Sequence, residues 1–301
     1  MHNLCNISIR FKQILHILKC VSNIILFCLL LMLQLTISPF MHRSVLVAFD
    51  FDHTIVDDNT DIVARKLIPK ERLPDSVRDL YRPSGWITYM SKIFEILHSN
   101  SIDIKQIENA VGNIPPVSNI EKLLRELHSN GCEIIIISDS NTLFIDEWLR
   151  CKDLSHVIAQ VFTNPAKVDE NGVIRLGMYH VQNSCKLSTV NLCKGQILED
   201  YIKKRSDEGT YFDRIVYVGD GKNDLCPILR LSERDLAFPR KDYMLVKILT
   251  DTENFEIPKV KAQTICFCVL ILINKIVNRE SGKDVLHGLL NLRHTLIFNF
   301  F

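Results

Sequence analysis

Three apolar segments of this chain are each followed at once by polar residues, and this pattern restricts the fold more than any other feature. The segments and their followers are residues 45–49 with Asp50 and Asp52, residues 134–137 with Ser138 and Asp139, and residues 215–218 with Gly219 and Asp220. Short continuous apolar runs are typical of strands covered on both faces, as in a parallel α/β sheet. We therefore expect a parallel sheet whose strands end at one crevice, where such sheets bind ligands.

Helical patterns separate these segments. Ser118 and Glu121 have the spacing of a capping box, and four apolar residues between 120 and 127 share one face of the helix that would follow. Gly131 predicts the end of that helix, and residues 195–204 have a second helical pattern. The alternation of strands and helices predicts an α/β fold.

The first two strands are separated by more chain than a simple crossover needs. Positions 52 and 138 are 86 residues apart, whereas a βαβ unit takes roughly 30 residues or a little more. The surplus has helical patterning and several aromatic residues. We expect a helical cap at residues 61–115, inserted into a core of residues 41–60 and 116–250, with the role of residues 251–301 left open.

Residues 1–40 form a hydrophobic extension outside this pattern. No charged residue occurs between Cys20 and Met41, and basic residues precede that stretch. These features fit a signal anchor, or a signal peptide without a clear small-residue cleavage site. The alternative is an extension absent from the working protein, because an anchor would press the first strand against the bilayer. We expect a cytoplasmic protein, with a membrane anchor through residues 20–41 as the alternative.

Charge and cysteine usage restrict the partners. The net charge of +1 offers no broad attraction for nucleic acid, so we expect no nucleic-acid partner. The ten cysteines are scattered, which fits a reducing compartment better than a disulfide framework. Cys185 and Cys193 hint at a metal site, but the motif lacks the second pair of a four-ligand zinc site. Reduced structural thiols are therefore the preferred interpretation, with zinc as the alternative.

The most informative motif is Asp50-Phe-Asp52-His-Thr54. Two acids placed two residues apart just after a strand bring both carboxyl groups near one cavity, where one can act as nucleophile and the other as general acid and base. Such crowded acids repel each other unless a cation neutralises them, and Asp220 and Asp224 would add oxygen ligands suited to Mg²⁺. The alternative interpretation of the motif alone is a turn with exposed acids.

Four motifs occur together in the order found in the haloacid-dehalogenase-like phosphatase superfamily. They are Asp50-Phe-Asp-His-Thr54, Ile-Ile-Ser138-Asp, Lys194, and Gly219-Asp-Gly-Lys-Asn-Asp224. The chain resembles this superfamily over about residues 44–250. The resemblance implies a Rossmann-like parallel-sheet core, Mg²⁺ as cofactor, and hydrolysis of a small phosphomonoester through an aspartyl-phosphate intermediate.

The same resemblance implies a role for each motif residue. Asp50 is the expected nucleophile, and Asp52 is expected to protonate the leaving group and then to activate water. Ser138 and Lys194 are expected on the phosphoryl oxygens, since an acidic nucleophile meeting an anionic phosphate needs compensating charge. The residues expected around Mg²⁺ are Asp50, Asp52, Asp220 and Asp224.

A narrower resemblance is carried by residues 49–61, 137–142, 161–165 and 218–224. These segments are similar to the phosphoethanolamine/phosphocholine phosphatase family, and two of them more to its pyridoxal phosphate phosphatase-like branch. The family implies that Asp61 and Asp139 face the non-phosphate end of the substrate. An acid pair suits an ammonium group, and Trp86 or Tyr89 would add cation–π contact, although packing inside the cap is the preferred role for these aromatic residues.

Two departures from the family pattern stand out. Ser188 occupies a position where the family has cysteine, which puts a metal or disulfide role of that stretch in doubt. Lys222 stands between Asp220 and Asp224, where smaller residues are usual, and would weaken or tune Mg²⁺ binding.

Two other functional classes remain open at this stage. A phosphoacceptor signalling domain also uses acids at strand ends with a lysine, but that lysine follows the later strand, whereas Lys194 precedes residues 215–218. The non-enzymatic alternative is a membrane-tethered, catalytically silent scaffold.

Overall fold

The computed structural model describes residues 43–81, 85–251, 254–255 and 257–266. The expectations for residues 1–40 and for the stretch 20–41 lie outside these residues, as does most of the C-terminal segment. Within the described ranges, no helix has both the length and the apolar character needed to cross a bilayer.

The described residues form eight strands and nine α-helices. The strands are β1 (Arg43–Phe49), β2 (Glu133–Asn141), β3 (Gln160–Asn164), β4 (Ala166–Val168), β5 (Ile174–Leu176), β6 (Tyr211–Gly219), β7 (Leu236–Pro239) and β8 (Gln263–Thr264). The helices are α1 (Thr60–Arg65), α2 (Asp75–Arg78), α3 (Trp86–Ser99), α4 (Ile104–Gly112), α5 (Ile120–Ser129), α6 (Thr142–Cys151), α7 (Lys194–Asp207), α8 (Leu225–Arg230) and α9 (Met244–Thr250).

Six strands form one parallel sheet in the order β3-β2-β1-β6-β7-β8. The strand β1 is central. The chain order of the strands runs outward from β1 in both directions, through β2 and β3 on one side and through β6, β7 and β8 on the other. The sheet therefore has a topological switch point beside β1, where ligands bind in open α/β folds. The parallel sheet flanked by helices confirms the expected Rossmann-like α/β fold.

Both faces of β1 are buried, which explains its uninterrupted apolar sequence. Val47 and Phe49 belong to the hydrophobic cluster on one face of the sheet, and Leu46 and Ala48 belong to the cluster on the other. This alternation follows from the two-residue period of a strand. All four side chains are fully buried, so β1 provides a rigid support for the residues that follow it.

Four helices, α1 to α4, lie between β1 and β2 in the chain, where a helical cap is expected. Their buried side chains, among them Met90, Phe94 and Val111, belong to the same cluster as one face of the sheet. The helical segment is therefore packed onto the sheet through a continuous apolar core, and α1 begins only ten residues after Asp50.

The expected capping box at Ser118 and Glu121 is wrong in detail. The N-cap of α5 is Asn119, which has φ 63° and makes no side-chain capping bond. The preceding backbone is tied elsewhere, since the N–H of Val117 donates to the carbonyl of Ile55. The chain then turns sharply into α5 through a left-handed conformation that asparagine tolerates. The expected stop at Gly131, which has φ 75°, is confirmed.

Candidate active site

The switch point brings the ends of β1 and β6 together. The backbone N–H of Asp50 donates to the carbonyl of Val218 at 2.9 Å, which continues the sheet register past the end of β1. Asp50 and Asp220 then follow adjacent strands at the same edge, and Thr54 Oγ1 donates to Asp220 Oδ1 at 3.3 Å. The parallel register thus converts three distant sequence motifs into one site.

Lys194 is the cation at the centre of this site. Its Nζ lies 2.7 Å from Asp50 Oδ2 and 2.8 Å from Asp224 Oδ1, and the residue is only 1% exposed. Burial alone would lower the pKa of this ammonium group, but the carboxylates of Asp224 and Asp50 outweigh it and raise that pKa above its ordinary value. Lys194 therefore stays charged at every physiological pH.

The carboxylate of Asp224 is held by four donors. Oδ1 accepts from Lys194 Nζ and from the Tyr217 hydroxyl at 2.7 Å, while Oδ2 accepts from the backbone N–H groups of Asp220 at 3.0 Å and Gly221 at 2.8 Å. Gly219 permits this approach, because a Cβ at its position would lie 2.4 Å from the Asp224 Cγ. Asp224 therefore shapes the loop after β6 and positions Lys194.

Three carboxylates form a candidate magnesium site. Asp50, Asp220 and Asp224 each offer an oxygen, and these oxygens lie within 4.8 Å of one another. Burial, together with the charge of Asp224, raises the pKa of Asp220 to about 7 and raises that of Asp50 above its usual range. Lys194 alone cannot offset three carboxylates, and hard oxygen donors are those that Mg²⁺ prefers, so the residues fit that ion.

The side chain of Asp52 lies outside that carboxylate group. Its Oδ1 accepts from the backbone N–H of Thr60 at 3.0 Å, and its Oδ2 accepts from the Thr60 hydroxyl at 3.2 Å. Burial, with a smaller effect from the nearby Asp61 carboxylate, raises the pKa of Asp52 to about 8. Asp52 is therefore protonated near neutral pH, which is the state that a general acid needs.

A cavity of about 300 Å³ opens above these residues. The chain groups that line it come from the strand ends, the loop before α7 and the first helices after β1. They are Asp50, Asp52, His53, Asn59, Asp61, Trp86, Ser138, Asp139, Thr189, Asn191, Asp220, Gly221 and Asn223. All the expected site residues thus surround one space, except Lys194 and Asp224, which lie buried beneath it.

Asp61 and Asp139 each have one oxygen in use and one without a partner. Trp86 Nε1 donates to Asp61 Oδ2 at 2.6 Å, and Asn223 Nδ2 donates to Asp139 Oδ2 at 2.8 Å. The Oδ1 atoms of both acids are buried without a hydrogen-bond partner among the described residues. Burial raises the pKa of Asp61 to about 7 and also raises that of Asp139. Both residues line the cavity, so the site carries two acids beyond those placed around Lys194.

The two aromatic residues singled out in the sequence differ in position. Trp86 packs against the core, as the preferred interpretation expects, and it also lines the cavity and donates to Asp61. Tyr89 is 4% exposed and packs behind Trp86, with ring centroids 5.6 Å apart, as expected for a cap residue. Trp86 is the first residue of α3, and its place at the helix end exposes it to the cavity.

Several residues of the site belong to no sequence motif that would indicate their role. Thr60 holds Asp52, and its hydroxyl lies 2.7 Å from that of Ser140. Asn164 donates to the carbonyl of Asp139 at 2.7 Å and accepts from Asn191 at 3.1 Å. Asn164 lies in a segment that carries the family resemblance, but its orienting role depends on contacts that only the fold creates.

The chain is similar to known proteins in sequence and in fold. The family model described as Putative Phosphatase matches residues 45–267. The pyridoxal phosphate phosphatase PHOSPHO2 of Mus musculus is 38% identical over 215 residues, which cover 70% of this chain and 89% of that protein. The phosphoethanolamine/phosphocholine phosphatase of Homo sapiens is 33% identical over 222 residues, which cover 73% of this chain and 83% of that protein.

A solved structure with a similar fold is a HAD family hydrolase of Salmonella enterica subsp. enterica serovar Typhi. Its TM-score is 0.54 at 14% identity, with 79% of this chain and 73% of that chain covered. At this identity the likeness shows the fold alone, which agrees with the parallel sheet and its switch point.

Proposed function

The chain belongs to the Putative Phosphatase family, and on that premise we propose that it is a Mg²⁺-dependent phosphatase of small phosphomonoesters. The observation that carries the proposal is the contact of buried Lys194 with Asp50 at 2.7 Å, beside Asp220 and Asp224. That arrangement places a carboxylate nucleophile, a fixed cation and further carboxylates at the end of one strand pair.

Asp50 is proposed as the nucleophile. One of its carboxylate oxygens forms a bond to phosphorus while the bond from phosphorus to the leaving oxygen breaks, which gives an aspartyl phosphate. Its Oδ1 accepts from the N–H of Phe51 at 2.7 Å, so the carboxylate is already oriented before substrate binds. Lys194, together with the hydroxyl of Ser138 on the cavity wall, would stabilise the charge on the phosphoryl oxygens.

Asp52 is proposed as the general acid and base. In the first step its proton goes to the leaving oxygen, for which its raised pKa of about 8 is suited. In the second step the resulting carboxylate takes a proton from water as that water attacks phosphorus and releases Asp50. The hydrogen bonds from Thr60 hold the Asp52 carboxyl group in place for both transfers.

Of the three carboxylates, Asp50 and Asp220 would hold Mg²⁺ directly, whereas Asp224, whose oxygens already accept from four donors, would orient the same loop. The ion supplies positive charge that offsets the repulsion between the carboxylates and a dianionic phosphate. Since the side chain of Asp52 bonds to Thr60, its proposed contribution is the proton transfer, and its carboxylate oxygens are not needed as ligands.

The carboxyl groups of Asp61 and Asp139 on the cavity lining support a substrate whose non-phosphate end carries hydrogen-bond donors. The names of the relatives suggest three candidates, namely pyridoxal phosphate, phosphoethanolamine and phosphocholine. A primary ammonium group offers three N–H donors and a positive charge, whereas a quaternary ammonium group carries the charge but has no N–H donor. The two acids therefore favour phosphoethanolamine over phosphocholine, while the ring of Trp86 on the cavity wall would suit pyridoxal phosphate.

The first experiment tests the chemistry. Phosphate release by the full chain should require Mg²⁺ and should fall by orders of magnitude in Asp50→Asn, which removes the nucleophile at nearly constant volume. The control is Asp75→Asn, an exposed acid of α2 whose side chain is 89% exposed. Equal turnover by wild type and Asp50→Asn would refute the proposal. Phosphate uptake without turnover would indicate a phosphoacceptor domain, and no reaction at all a catalytically silent scaffold.

The second experiment tests the head-group selection. Values of kcat/KM are compared for pyridoxal phosphate, phosphoethanolamine, phosphocholine and 4-nitrophenyl phosphate in wild type, Asp61→Asn and Asp139→Asn. Selection by the two acids predicts a larger loss for the amine substrate than for 4-nitrophenyl phosphate. A uniform loss across the four substrates would assign both acids to folding or general catalysis.

A further inference from the structure

Three thiols from separate parts of the chain converge next to the candidate active site. Cys185 lies in the loop before α7, Cys193 is the N-cap of α7, and Cys226 lies in the first turn of α8. The Cys226 sulfur is 3.4 Å from that of Cys185 and 3.8 Å from that of Cys193. The sequence pattern groups only Cys185 with Cys193, because Cys226 is 33 residues beyond Cys193.

A hydroxyl group completes the cluster. Ser188 Oγ lies 3.5 Å from the sulfur of Cys185 and 3.4 Å from that of Cys193. In a tetrahedral zinc site, Zn–S bonds of about 2.3 Å place neighbouring sulfurs about 3.8 Å apart, and a Zn–O bond of about 2.0 Å places oxygen about 3.5 Å from sulfur. Four of the six separations between these side chains therefore lie within about 0.4 Å of the edges of such a tetrahedron.

The surroundings suit a charged metal site. Arg230 Nη2 lies 3.9 Å from the Cys193 sulfur, where it would offset the negative charge that three thiolates leave on a divalent ion. The loop is also held in shape, since Gln182 accepts from the N–H of Cys185 at 2.9 Å and donates to the carbonyl of Thr189 at 2.7 Å. Such positioning of the ligands by neighbouring groups is typical of built metal sites.

We propose that Cys185, Cys193 and Cys226 bind a structural Zn²⁺ ion, with Ser188 in the fourth position. A single disulfide would use two of the three sulfurs and would leave the third sulfur and the hydroxyl contacts unexplained. Three sulfur ligands select zinc over the hard Mg²⁺ ion that the carboxylate group suits. The two sites thus differ in ligand chemistry as well as in position.

The proposed ion would stabilise the chain segments that carry Lys194 and Asp224. Cys193 directly precedes Lys194, and Cys226 comes two residues after Asp224, so one ion would tie together the chain segments that carry both charges. Gly195 allows the close approach of α7 and α8, since a Cβ at its position would lie 2.6 Å from the Cys226 sulfur. Metal binding here would contribute free energy of folding.

Native mass spectrometry and cobalt spectroscopy test the proposal on the full chain. Protein purified under reducing conditions from zinc-supplemented cells should carry one zinc per chain. After exchange into Co²⁺, it should show a sulfur-to-cobalt charge-transfer band and the intense visible bands of tetrahedral cobalt. Co²⁺ bound at the carboxylates cannot give the charge-transfer band, so the spectrum distinguishes the two sites without an activity measurement.

Variants assign the ligands. Cys226→Ser should lose the zinc and the charge-transfer band, whereas Cys151→Ser, which changes an exposed cysteine outside the cluster, should keep both. Ser188→Cys should strengthen the band by about one third, because a fourth thiolate joins three. If Cys226→Ser fails to fold, the wild-type and Ser188→Cys spectra decide. Absence of zinc and of the band in reduced wild type, or a Cys185–Cys226 disulfide in the purified protein, would overturn the proposal.

Discussion

Replacing Asp61 by asparagine should make the protein more stable above pH 7 and less selective. Asp61 is 3% exposed, and burial raises its pKa from 3.8 to about 7. A shift of about three units corresponds to about 4 kcal/mol between the two protonation states. Because the pKa is raised in the folded state, the folded protein binds the proton more tightly, and stability falls as the pH rises from about 4 to about 7.

The size of the effect depends on pH in a defined way. Above pH 7 the wild type carries the full penalty of about 4 kcal/mol, whereas at pH 5 it carries less than about 2 kcal/mol. The new amide group costs about 1–3 kcal/mol if its N–H₂ stays unpaired, at any pH. The stability gap between Asp61→Asn and wild type should therefore shift by about 2–3 kcal/mol in favour of the variant between pH 5 and pH 8.5.

Urea unfolding at pH 5 and pH 8.5, in EDTA, measures this gap. Asp75→Asn serves as the control, because its carboxylate is 89% exposed and its ion pair with Arg78 lies at the surface, so the change should shift stability by less than about 1 kcal/mol. In parallel, Asp61→Asn should lose more kcat/KM with phosphoethanolamine than with 4-nitrophenyl phosphate. A stability gap that stays constant over the two pH values would refute the view that Asp61 is held as a strained, buried acid for the substrate.

Three further outcomes follow from the same contacts. Lys194→Met should lower the free energy of unfolding by about 3–5 kcal/mol at pH 8, by urea titration, because Asp50 and Asp224 stay buried without their cation. Equal stability of the variant and the wild type would contradict this prediction. Gly219→Ala should lower the free energy of unfolding by about 1–3 kcal/mol, because its Cβ would displace Asp224. The variant should also need more Mg²⁺ for half-maximal turnover. An unchanged Mg²⁺ titration would argue against that crowding. With phosphoethanolamine, kcat should fall above pH 8 because Asp52 loses its proton. The fall should be smaller with 4-nitrophenyl phosphate, whose leaving group needs no acid. Identical pH profiles of kcat for the two substrates would count against Asp52 as the general acid.

Local patterns in the sequence predict three of the strands, the helices near residues 120–127 and 195–204, and the candidate chemical residues. The apolar runs before Asp50, Ser138 and Asp220 could be interpreted because a strand buried on both faces has a local signature. The pair Asp50 and Asp52 could be found because residues two apart after a strand end share one cavity. These features depend on residues that are close in the chain, so local sequence patterns indicate them.

Tertiary structure decided which distant residues meet. Asn119 at the start of α5 adopts a left-handed conformation because the preceding chain pairs with residues 55–56, a contact that no capping pattern includes. Trp86 turns to the cavity because the start of α3 packs beside Asp61. The conformations of such side chains depend on neighbours that are distant in the sequence, and local propensity does not specify those neighbours.

The thiol cluster shows the same division in one place. Cys185 and Cys193 were visible as a pair in the sequence, and their spacing alone favoured reduced thiols. Cys226 joins them only because β6 runs beside β1 and returns the chain through α8 to the start of α7. Sequence patterns indicate chemistry carried by neighbouring residues. A site assembled from two distant segments forms only when packing brings those segments within a few ångströms of one another.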